Sequence, residues 1–159
     1  WEGYANNYGV LYPMQTFSKQ REVNWPEVPF FIEAENKKDL EVLKELAGKW
    51  TEKVYEATSE QRKYLHIAAV FACNFSNHMY ALCDCLLCQH GIPFEVMLPL
   101  IDETARKVHE ITPKEAQTGP AIRYDENVIN RHLDMLKAEP TIQKLYEKIS
   151  KSIYNHDKL

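Results

Sequence analysis

Hydrophobic positions follow two rhythms along the chain. In residues 1–58 they form short runs of aromatic and branched side chains, bounded by turn residues. Gly9–Tyr12, leading into Pro13-Met14-Gln15-Thr16-Phe17-Ser18, and Pro29–Ala34 therefore predict two strands. The polar stretch Lys19–Glu27, with Pro26 in it, predicts a loop between them. Asn36 then offers a helix cap. Leu40, Leu43, Leu46, Ala47 and Trp50 recur at spacings of three and four, which predicts a helix to about Lys53. Val54–Ala57 reads as one more short strand. Such a piece cannot close its own core and looks like the end of a larger α/β layer.

From residue 59 the rhythm is helical. Thr58 and Gln61 have the spacing of a capping box, and Gly91 stands where a helix stops. A helix from one to the other, ending at His90, makes a rod of roughly 45 Å. Ile67–Cys73 is apolar on every side, which predicts a helix buried all round, at the centre of a bundle or a dimer. Pro93 opens the next helix, to about Ile111, with Pro99 bending or breaking it. Thr112, Pro113 and Glu115 form a cap, a first-turn proline and a box partner. Gln117–Tyr124 is a loop, Asp125 caps a helix to about Lys137, and Pro140 opens a last helix to about Tyr154.

Composition narrows the class of protein. Lys and Arg number 19 against 23 Asp and Glu, a net charge of −4 in 159 residues. That balance argues against a dedicated nucleic-acid binder. The central apolar run stops at Asn74, too soon to span a bilayer. No charged-then-apolar leader opens the sequence, which begins at Trp1, so either the chain is an excised piece or an N-terminal part has been lost. Cys73, Cys83, Cys85 and Cys88 crowd into one stretch, where a secreted disulfide framework would spread them. They read as reduced thiols of a cytoplasmic protein.

Five segments bear on candidate chemistry. Gln15 and Thr16 follow a strand, where open α/β sheets place ligands, and could bond a substrate carboxylate or a nicotinamide amide; an ordinary turn is the plain alternative. His66 shares a helix face with Cys73 and Asn77, while Asn74 lies about 80° away on an α-helical wheel. In an oily helix the imidazole and the Asn74 carboxamide need partners, and those are either a ligand or backbone groups. His66 suits proton transfer near neutral pH. Cys83, Cys85, Cys88 and His90 have a metal-like spacing, but on a helix Cys83 and Cys85 point apart, so no metal is expected. Asp102–Lys107 carries acid–base pairs of a solvated helix face. In Gln117–Asp125, Arg123 either clamps an anionic group, or pairs with Asp125 or caps a helix end.

Several ordered strings then resemble one family. They are Gly9–Ser18 and Pro29–Glu33, Arg62 with His66–His78, Pro99–Thr104, and Thr118–Asp125. They resemble bacterial Rossmann-like proteins classed as NAD(P)-dependent oxidoreductases, which end in an all-helical domain of unknown function. That group is similar in plan to 6-phosphogluconate dehydrogenase, the β-hydroxyacid dehydrogenases and pyrroline-5-carboxylate reductase. The resemblance implies a mainly α fold. Residues 1–58 would be the last strands and helix of a Rossmann-like NAD(P)-binding domain, and residues 59–159 an all-helical substrate and dimerisation domain. The dinucleotide loop would lie outside this chain, which has no G-x-G-x-x-G.

The resemblance further implies hydride transfer between NADP or NAD and a small carbonyl, hydroxyl or imine substrate. His66 would be the acid/base and Asn74 the substrate orienter. Gln15, Thr16, Asn77, Thr104, Lys107, Gln117, Thr118, Gly119 and Arg123 would surround the cleft. The partner would be a second copy, joined through the long helix, with no nucleic acid and no membrane. One departure stands out. Asn74 matches the asparagine of the Lys-x-x-x-Asn pair of the β-hydroxyacid enzymes, but Val70 stands where the lysine belongs. A non-catalytic dimerisation or binding module of a dinucleotide-binding regulator is the rival expectation.

Overall fold

Three strands form one small sheet in the computed structural model, which describes residues 3–156. Strand β1 (Gly9–Pro13) pairs antiparallel with β2 (Phe30–Ala34), and β2 pairs parallel with β3 (Val54–Glu56). The parallel pair is joined by helix α1 (Lys37–Gly48), the strand–helix–strand unit of α/β layers. Asn36 caps α1 by accepting from the Asp39 N–H at 3.0 Å. The helix ends at Gly48, short of the expected Lys53, because Lys49–Lys53 turns back toward the sheet. There buried Thr51 donates its hydroxyl to the Pro26 carbonyl at 3.0 Å.

Val28, Phe30 and Ala47 form the core beneath this sheet, with Leu11, Val23 and Val54 against them. Gly9 is required by a close approach: an added Cβ would lie 2.7 Å from both the Glu33 carbonyl oxygen and Leu43 Cδ1.

The next helix begins as its sequence dictates. Thr58 accepts from the Gln61 N–H and Gln61 reaches back to the Thr58 N–H, a complete capping box for α2 (Ser59–Ala69). The expected uninterrupted α-helix is then broken by a π-helical segment, Val70–Phe75, before α3 (Ser76–Cys88). The Ser76 hydroxyl donates to the Phe71 carbonyl, five residues back, at 3.3 Å. Gly91, at φ +66°, and the bond from Ile92 N–H to the Leu87 carbonyl close the helix end.

The chain divides into two compact units, one up to Met79 and one from Tyr80, so the first includes α2. The helix through Ile67–Cys73 is not buried all round within this chain, contrary to its pattern. Ile67 is 53% exposed, Phe71 63% and Phe75 49%. An all-round apolar pattern records that a surface is covered, not which molecule covers it.

In the second unit, helix α4 (Leu98–Glu110) follows a 3₁₀ turn, Phe94–Met97. Pro99 therefore sits in the first turn of α4 and bends nothing, since the missing N–H is an orphan there anyway. Helix α5 (Pro113–Ala116) has the Thr112/Glu115 capping box. Helix α6 (Glu126–Met135), capped by Asp125, stops slightly before the expected Lys137. Helix α7 (Pro140–Tyr154) follows. The two are tied by His132 Nδ1 and Tyr146 Oη at 2.8 Å, and by Gln143 donating to the Leu133 carbonyl at 2.7 Å.

Candidate functional site

A cavity of about 540 Å³ lies in the first unit, between the loop after β1 and one face of the α2–π segment. Tyr12, Met14, Gln15 and Thr16 form one wall, and Leu65, His66, Cys73 and Asn74 the other. Its space comes from Ala68, Ala69 and Ala72, whose short side chains leave the helix face shallow. Those alanines were readable as a small-residue face; Tyr12 and Met14 follow from strand alternation.

The π segment explains which residues gather there. A π turn takes one residue more than an α turn, so everything beyond it lags by about 100° on an α-helical wheel. Asn74, expected about 80° from His66, is drawn toward the His66 side. Asn77, expected on the His66 face, is carried off it and does not line the cavity. Nothing in the residues of Val70–Phe75 marks that extra residue, so sequence spacing could not place these groups.

The polar groups of the cavity are uncommitted. Neither the His66 imidazole nor the Asn74 carboxamide has a hydrogen-bond partner among the described residues, and both are exposed to the cavity and solvent. Gln15 Oε1 accepts from the Thr16 N–H at 2.8 Å, which leaves the Gln15 NH₂ and the Thr16 hydroxyl free to meet a ligand. The helix bearing His66 is tied to the sheet one turn earlier. Arg62 Nη1 donates to Glu33 Oε2 at 2.6 Å and to the Ala57 carbonyl at 2.7 Å. Ser59 Oγ donates to the same carboxylate oxygen at 2.9 Å. The Arg62 hydrogen bond holds the Glu33 carboxyl below its ordinary value, against a smaller opposing effect of desolvation.

The other expected site residues belong to the second unit. Thr104 donates its hydroxyl to the Leu100 carbonyl at 2.8 Å, and Lys107 is half-buried on α4. Gln117 donates to the Thr118 carbonyl at 3.0 Å and lines a separate cavity of about 500 Å³ with Ile122, Ser152 and Ile153. Gly119 has φ +105°, a conformation that suits glycine, in the turn before buried Ala121. Arg123 lies 3.7 Å from Asp125 and is largely exposed, so it makes only a loose version of the ion pair offered by the sequence. The cysteines are free thiols, and no group of three metal-ligating side chains converges among the described residues. No described helix is long and apolar enough to cross a membrane.

This is a mainly α chain with a partial Rossmann-like start, a small three-stranded α/β sheet. Residues 28–153 match the family described as Domain of unknown function (DUF2520), and the chain belongs to that family. A crystal structure from Bacteroides fragilis, described as a "putative NADP oxidoreductase", is 64% identical with a TM-score of 0.93. The match covers 98% of this chain and 60% of that one. A protein from Thermotoga maritima shares the fold at 21% identity, with a TM-score of 0.76, over 95% of this chain and 63% of its own. The chain thus spans about three-fifths of each of these solved structures. No curated protein matches it.

Proposed function

We propose that this chain is the substrate-side part of an NADP-linked oxidoreductase. The intact protein would move a hydride between the nicotinamide and a small carbonyl, hydroxyl or imine substrate. One observation carries the reading. The His66 imidazole and Asn74 carboxamide stand without partners among the described residues, in the same cavity as the free ends of Gln15 and Thr16. The description of the 64% identical relative supports it.

The residues present fit one end of a dinucleotide. The Gln15 NH₂ and the Thr16 hydroxyl complement a carboxamide and would hold the nicotinamide end, while the sequence offers no glycine-rich phosphate cradle. When bound, the nicotinamide supplies the hydride chemistry. His66 passes a proton to or from the substrate oxygen or nitrogen, and Asn74 orients that atom by hydrogen bonding. Two copies would associate through the exposed face of Ile67, Phe71 and Phe75.

The test is oxidation of NADPH by the intact protein against a panel of small carbonyl and imine compounds. His66→Ala should lower kcat by about 100-fold, and Asn74→Ala should lower kcat/KM by about tenfold. Unchanged turnover in both variants would overturn the assignment and leave the non-catalytic binding module standing.

A further inference from the structure

Beside the His66 cavity lies a second crevice, of about 370 Å³, which shares Gln15 and Thr16 as a common wall. Past that wall its lining is Phe17, Ser18, Arg21 and Asn24, with Glu22 and Val23. Four side chains on this lining have hydrogen-bonding ends that no described residue occupies: Thr16, Ser18, Arg21 and Asn24. Asn24 is notable, since it stands at the N-cap of a 3₁₀ turn, Trp25–Glu27, and makes no side-chain cap there.

The loop that bears these groups is fixed in place. Met14 N–H bonds the Pro29 carbonyl at 2.9 Å at its start. Val23 packs on the core at its end. Phe17 rests on Trp25, with ring centroids 5.9 Å apart, and Trp25 contacts both Phe30 and Trp50 at 6.1 and 6.2 Å. A crevice so anchored binds without first having to order its own walls.

We propose that this crevice receives the carboxylate of the substrate, so that the reacting molecule is a small oxo-, hydroxy- or imino-acid. The guanidinium of Arg21 takes the carboxylate in fork geometry, and the Ser18 and Asn24 groups complete its hydrogen bonding. Among the described residues Arg21 is the one cation of this lining and Glu22 balances it, so a single guanidinium meets a single carboxylate and a phosphate dianion would be left with uncompensated charge. The shared Gln15–Thr16 wall puts the carboxylate next to the cavity of His66 and Asn74. The inference deepens the oxidoreductase reading and rests on it for the word substrate.

Binding tests it apart from turnover. Isotope-labelled intact protein is titrated, at constant ionic strength, with pyruvate, with methyl pyruvate and with inorganic phosphate, and the resonances of residues 15–24 are followed. Pyruvate should shift them saturably and methyl pyruvate should not. Arg21→Gln should weaken the pyruvate response by about tenfold or more, and Arg21→Lys by less. His66→Ala should leave the shifts of Arg21 and Asn24 in place, so loss of hydride transfer and loss of the carboxylate site are read separately. Equal responses to pyruvate and its ester, or tighter saturation by phosphate, would overturn the proposal. So would displacement of pyruvate by NADP, which would assign the crevice to the cofactor's own phosphates.

Discussion

Replacing Arg62 by alanine should loosen the first unit where the helix of His66 meets the sheet. The guanidinium is 14% exposed and makes three hydrogen bonds, to Glu33 Oε2, the Ala57 carbonyl and Ser59 Oγ. Bonds to charged groups contribute about 1.5–3 kcal/mol net. Glu33 is about one-third exposed, so water screens part of that and the expected loss is about 2 kcal/mol. Hydrogen exchange in the intact protein reads it locally: amides of β2 and the start of α2 should lose about 30-fold in protection.

The effect has a pH signature. The Glu33 carboxyl is held below the ordinary 4.5, first by the Arg62 hydrogen bond and then, against desolvation, by Ser59. A depressed carboxylate stabilises fully above its unfolded value, and that contribution disappears as pH falls through the folded value. The cost of Arg62→Ala should therefore be complete at neutral pH and shrink below about pH 4. Protection unchanged at pH 7, or an equal loss in acid, would refute the reasoning.

Two further outcomes follow from packing. Gly9→Ala forces a methyl to within 2.7 Å of the Glu33 carbonyl and Leu43, and should lower stability by about 1–3 kcal/mol, read as a drop in Tm. Phe71→Asp places a charge on the exposed apolar face and should convert a dimer to monomer in sedimentation; a monomeric wild type would remove the proposed assembly.

Local chemistry was readable wherever it acts through neighbours in sequence. The Thr58/Gln61 and Thr112/Glu115 boxes, the Asn36 and Asp125 caps, the Gly91 stop and Pro140 all stand where spacing put them. The misplacements share a cause. Pro99 tolerates either a kink or a helix start, and only the preceding 3₁₀ turn decides between them. The length of α1 is set by Thr51 bonding Pro26, a contact 25 residues away. The π segment depends on how a whole helix packs, and no single residue announces it. The candidate site divides the same way. His66, Asn74, Gln15 and Thr16 were identifiable as polar groups in apolar or strand-end surroundings. Their gathering in one cavity, with Asn77 turned away, needed the helical phase.

The ring cluster of Phe17, Trp25, Phe30 and Trp50 has an optical consequence. It joins three separated stretches of chain: the polar loop, β2 and the segment after α1. Coupled indoles in a fixed asymmetric setting give a strong near-ultraviolet circular dichroism band. Any event that slackens the loop must dim that band, so the protein carries its own spectroscopic gauge of how tightly the crevice is held.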